Sequence, residues 1–188
     1  MPFNFSDSMR ALMGDMAATC LELRHIDMAR VAVGFSQARL ASAHGVYATI
    51  HPLRFPNGDR LLKRPPATFA MPRVVLGGQE MLYVIEFRLP RFLCLPFDEK
   101  IATVVHEMYH ISPRFDGTLR RFAGAKPHHT GRKSRYDAAM SVIAGRYLRT
   151  TQRPELHAFL RQSFEELAGA HGGIVGLRAR GLRPRRIQ

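Results

Sequence analysis

Two histidines four residues apart with a glutamate between them, in His106-Glu107-Met108-Tyr109-His110, are the residues of this chain best equipped for chemistry. On a helix, side chains four apart share a face, so both imidazoles reach one point. Two neutral ring nitrogens at that spacing suit a tetrahedral zinc ion. Glu107 is offset around the helix from both. It can reach a water beside such an ion without binding the ion itself, which is where a general base must stand.

Those roles require a helix, and the flanking residues supply one. Ile101, Val104, Val105 and Met108 recur at helical spacing and predict a buried face. Asp98 is a good N-cap, and Ser112-Pro113 closes the segment because the residue before proline is pushed out of the α region. The motif is thus predicted to ride on a single delimited helix of about fourteen residues. Without that context it would reduce to a histidine pair on an ordinary amphipathic helix.

Around this helix the pattern reads as α+β. Met9, Leu12, Met13, Met16 and Cys20 predict a first helix from residue 6 to about residue 23, its methionines serving as core packing. Residues 30–35, 46–50 and 81–89 read as strands, and Pro56-Asn57-Gly58-Asp59 as a turn. Residues 112–133 form a long irregular segment carrying Gly117, Gly124, Pro127 and Gly131. Ser134-Arg135-Tyr136-Asp137 resembles a capping box and opens a helix through Met140, Ile143 and Tyr147. A last helix is predicted from Arg153-Pro154-Glu155 to about Gly169. Residues 172–188 combine Gly, Pro and Arg without periodicity, which predicts a disordered basic tail behind a single domain over 1–171.

Composition narrows the class of protein. At 188 residues and 46% hydrophobic, the chain can bury a real core. It holds no apolar run of the roughly twenty residues that span a bilayer. Its first residues lack the basic start and apolar stretch of a signal peptide, so the expectation is a cytoplasmic protein without membrane association. Cys20 and Cys94 both sit in apolar surroundings and read as buried free thiols. The formal net charge of +13 is concentrated late: residues 1–111 carry 12 Lys+Arg against 10 Asp+Glu, and residues 112–188 carry 16 against 5. Such asymmetry points to a nucleic-acid partner or to a solvated basic surface.

Two histidines do not complete a catalytic zinc site, which normally has three protein ligands and an open position. Asp116 follows His106 at the spacing of a longer zinc-protease motif, although Pro113 stands where that motif needs a turning glycine. His128 and His129 end the irregular segment just before the capped helix, where a ligand can fold back on the motif. Glu165 and Glu166 lie on the last helix, where acids more often form a solvated face.

The stretch from His106 through Ile111-Ser112-Pro113, then Phe115-Asp116-Gly117-Thr118-Leu119-Arg120-Arg121-Phe122 and a loop ending in Pro127-His128, resembles the phage metallopeptidase family. That family is itself distantly similar to SprT-like zinc proteases. Val46-Tyr47-Ala48-Thr49-Ile50-His51-Pro52-Leu53-Arg54-Phe55 fits it too, and the resemblance covers roughly residues 24–150. It implies a zincin-like α+β domain with a small mixed or antiparallel sheet on the motif helix and further C-terminal helices. It also implies His128 as third ligand, although a small residue usual in the family is replaced here by His129.

The expectation is then a zinc-dependent peptidase acting on a peptide or protein, with one Zn2+ per monomer on His106, His110 and His128. Glu107 would be the general base, Tyr136 or Tyr109 would donate to the transition state, and Asp137 or Asp116 would orient a ligand imidazole. The rival expectation is a nucleic-acid-associated basic module whose zinc is structural or has no catalytic role.

Overall fold

The computed structural model describes residues 1–38, 45–121 and 133–187, without the side chains of residues 133–136. Its α-helices are α1 (Phe5–Thr19), α2 (Phe97–Tyr109), α3 (Lys133–Thr150) and α4 (Phe164–His171). Its strands are β1 (Phe3–Asn4), β2 (Val31–Gln37), β3 (Ala48–Pro52), β4 (Leu61–Arg64), β5 (Ala67–Ala70), β6 (Val75–Leu76), β7 (Gln79–Glu80), β8 (Tyr83–Leu89), β9 (Ile174–Val175) and β10 (Arg185–Arg186). The fold is mixed α+β with small sheets. Among the described residues no helix is long and apolar enough to cross a membrane.

The central sheet has the order β2-β8-β3, with β2 parallel and β3 antiparallel to β8. Side chains alternate across β8, so Tyr83, Ile85, Phe87 and Leu89 face the main core. The methionine-rich face of α1 (Met9, Met13, Met16) and the Val104, Val105 and Met108 face of α2 pack there too. α3 adds Met140, Ile143 and Tyr147. The methionine stripe is therefore core.

Several local expectations are corrected. Asp98 is not the N-cap of α2. Pro96 holds that position without a side-chain hydrogen bond, and Asp98 and Glu99 sit in the first turn, where their charges complement the helix dipole. The last predicted helix divides into a 3-10 segment, Pro154–Arg161, and α4, which a Ser163–Glu166 capping box opens. Both cysteines are free, but Cys94 is exposed while Cys20 is buried.

The tail also departs from expectation: it is laid across the second face of the central sheet. β9 pairs in parallel with β1. The Leu177 carbonyl accepts the Phe35 N–H at 3.0 Å, and its N–H donates to Ser6 Oγ at 2.8 Å. Leu177, Ala179 and Leu182 then cover Ala32, Leu53, Met81 and Val84. The physical reason is that a central strand must be covered on both faces, and these three side chains are the apolar positions among the arginines. Gly34 permits the approach, because a Cβ there would stand 2.7 Å from the Leu177 carbonyl oxygen. Gly34→Ala is therefore expected to cost about 1–3 kcal/mol by lifting the tail from β2. A thermal melt matching the parent would show that the backbones are not in contact.

Candidate metal centre

The motif lies over the last turn of α2, with His106 inside the helix and His110 at the C-cap, still in the α region at φ −68° and ψ −16°. The two rings meet as the i, i+4 spacing requires. Their Nε2 atoms are 3.0 Å apart, and the ring planes cross at 75°. Two nitrogens each about 2 Å from a tetrahedral zinc ion stand about 3.3 Å apart, so the pair fits two of its ligands with little adjustment.

A short hairpin behind the helix fixes His110. The Arg120 N–H donates to the His110 carbonyl at 2.7 Å, and Arg120 Nε donates to the Tyr109 carbonyl at 2.7 Å. The same guanidinium stacks 4.0 Å over the Tyr109 ring. Arg120 thus satisfies two carbonyls that the helix end leaves without intrahelical partners, one through its backbone and one through its cationic side chain. The hairpin's own turn is held by Tyr83. Its hydroxyl accepts the Gly117 N–H at 2.9 Å and donates to the Thr118 carbonyl at 2.9 Å. Burial pushes the Tyr83 hydroxyl up to about 12, so it stays protonated as that donor. Gly117, at φ +81°, supplies the left-handed turn and leaves room for Arg54, whose Cγ a Cβ would meet at 2.5 Å.

Glu107 turns inward against β3. The residue is 8% exposed, and burial pushes its carboxyl up to about 7, while a hydrogen bond from the Ile50 backbone pulls the other way. A carboxyl near neutrality is suited to take up and release a proton at physiological pH. A cation at the imidazoles would favour its charged form.

The remaining predicted residues are distributed as follows. Asp137 Oδ1 lies 4.0 Å from His106 Nδ1, within ion-pair reach but beyond a hydrogen bond. It stands on the side of the ring where an orienting carboxylate belongs. Asp116 is not brought to the histidines. Its carboxylate accepts from the Thr118 hydroxyl at 2.6 Å and the Thr118 N–H at 3.2 Å, and pairs with Arg114 at 2.9 Å. It is a turn residue. Glu166 belongs to the α4 capping box. His128, His129 and the side chain of Tyr136 lie outside the described residues. Among the described residues, no third His, Cys, Asp or Glu joins the pair.

The sequence reading missed Ile50, Arg120, Tyr83 and His25. His25 lies beside Ile111 and Arg120, and burial holds its imidazole below the ordinary range. Arg120 carried a usable signal, a basic residue shortly after a helix end. The others are placed by tertiary packing. No protein-family model, curated protein or solved structure matches the chain.

Proposed function

We propose that the protein is a zinc-dependent metallopeptidase of the zincin type. The observation that carries this reading is the pair of imidazoles with Nε2 atoms 3.0 Å apart, beside a buried carboxyl whose pKa is pushed up to about 7. The resemblance of residues 24–150 to phage metallopeptidases supports the same reading and supplies His128 as third ligand. His106, His110 and His128 would hold the ion, which when bound would lower the pKa of a water and polarise the scissile carbonyl. Glu107 takes the proton of the attacking water and passes it to the leaving amine. Asp137 steadies the His106 ring through its second nitrogen. A glutamate between the two ligands favours catalysis over a structural site, which four protein ligands would close.

One zinc per monomer is the expected result of elemental analysis on purified protein. His106→Ala/His110→Ala should hold none, and a chelator should stop cleavage of an unfolded protein substrate by the parent. Full zinc occupancy in the double variant would falsify the ligand assignment. Retention in His128→Ala with loss in His129→Ala would move only the third ligand.

A further inference from the structure

Strand pairing brings together two basic stretches far apart in sequence. β4 and β5 form an antiparallel hairpin, and β10 adds to the free edge of β5, with Arg185 opposite Ala70 and Arg186 opposite Phe69. The Ile187 N–H extends the pairing by donating to the Thr68 carbonyl at 2.9 Å. Arg60, Lys63 and Arg64 come from one stretch, and Arg183, Arg185 and Arg186 from the other. Residues 60–79 and 172–188 contain no Asp or Glu. The acids that flank the first stretch in sequence have partners outside the ribbon: Asp59 accepts from Asn57, and Glu80 pairs with Arg54 and Arg73.

The ribbon stands off the core, since none of the residues in these three strands is buried. Register assigns its cations to faces. Residues opposite one another share a face and alternate along each strand. Lys63 and Arg185 therefore fall on one face with Thr68, and Arg64 and Arg186 on the other with Phe69.

We propose that the ribbon formed by β4, β5 and β10 is a docking surface for duplex DNA, inserted edgewise into the major groove. That groove admits a β-ribbon, and a ribbon there meets a phosphate wall on either side. Cations on both faces answer that geometry, whereas an acidic protein would engage a single face. Arginine, which supplies most of the charge, grips phosphate with a planar fork. The A-form major groove of duplex RNA is too deep and narrow for such a ribbon. The loop that leads from β3 into the ribbon is tied to the segment behind the motif helix: the Arg54 N–H donates to the Gly117 carbonyl, and Arg121 donates to the Pro56 carbonyl at 2.7 Å.

The test is fluorescence anisotropy of the full chain with labelled duplex DNA over a range of KCl. Lys63→Gln/Arg185→Gln and Arg64→Gln/Arg186→Gln should each flatten the slope of log K against log salt by about 2 units. Arg24→Gln/Arg149→Gln, the same charge change at exposed sites elsewhere, should leave it unaltered. Arg185→Lys/Arg186→Lys should restore most of the slope. Strand pairing uses backbone groups, so all variants should melt like the parent. Equal weakening by the control pair would reduce the effect to net charge and overturn the proposal. An effect from one face only, equal binding of duplex RNA or polyglutamate, or no salt-sensitive binding at low ionic strength would overturn it as well.

Discussion

Glu107→Gln is expected to lower peptide hydrolysis by about 100-fold or more while zinc content stays at one per monomer. Glutamine keeps the size and the acceptor oxygen of the side chain, so the Ile50 backbone contact survives. What it loses is the capacity to accept a proton from water and return it to the amine. A second effect separates this residue from an ordinary buried glutamate. Because burial pushes the folded carboxyl from an ordinary 4.5 up to about 7, ionising it inside the metal-free fold costs about 3 kcal/mol. The sign follows from the raised pKa. Below about 4.5 the group is protonated in both folded and unfolded chains and imposes no penalty. As pH rises through 7 its stabilising contribution is lost. The zinc-stripped parent should therefore melt lower at pH 8 than at pH 5 by more than Glu107→Gln does, and the variant should be the more stable of the two at pH 8. Cleavage at the parent rate by Glu107→Gln, in a buffer where a chelator stops the parent, removes Glu107 from the mechanism.

The motif helix was legible because three signals coincide on it: the i, i+4 histidines, the Ile101, Val104, Val105 and Met108 stripe, and Pro113 beyond its end. Its N-cap lies two residues earlier than Asp98 suggests. Asp98 is a strong cap by residue type, but Pro96, with its fixed φ, precedes the first turn and leaves Asp98 inside it. β8 and β2 were legible for the same kind of reason, namely runs of β-branched and aromatic residues. β4 and β5 were not. Lys63, Arg64 and two prolines give no alternation, and the strands exist by pairing with each other and with β10, more than a hundred residues on. The Ser163–Glu166 capping box was present in the sequence, yet Arg153-Pro154-Glu155 offered an earlier helix start that only a 3-10 segment took up. The candidate site divides in the same way. The i, i+4 histidine spacing is local and can be read from sequence. The burial that raises the Glu107 pKa, the Tyr83 clamp and the Arg120 cap come from chain segments that meet only in three dimensions.

Deletion of residues 174–188 is expected to destabilise the whole domain, which a merely solubilising tail would not do. The basic composition of this segment suggests disorder, but charge and cover are carried by different residues. Leu177, Ala179 and Leu182 lie on Ala32, Leu53, Met81 and Val84, while the arginines between them point elsewhere. Arg178 stacks 5.0 Å from the Phe35 ring. Removing the segment exposes the second face of the central sheet, orphans the Phe35 N–H and leaves Ser6 Oγ without its donor. Two leucines and the associated backbone bonds together contribute about 3–5 kcal/mol, a large share of the 5–15 kcal/mol typical of a domain. For a chain of this size that corresponds to a fall of roughly 10–15 °C in Tm. The point variant Leu182→Asp should reproduce much of the fall, because it places a charge against the apolar cluster of Ala32, Leu53, Met81 and Val84. Arg185→Gln/Arg186→Gln should not, because both residues are exposed and β10 pairs with β5 through backbone groups. That contrast assigns stability to the leucines and DNA affinity to the arginines of one segment. A truncated chain melting within about 2 °C of the full length would mean that the sheet face needs no cover from residues 174–188.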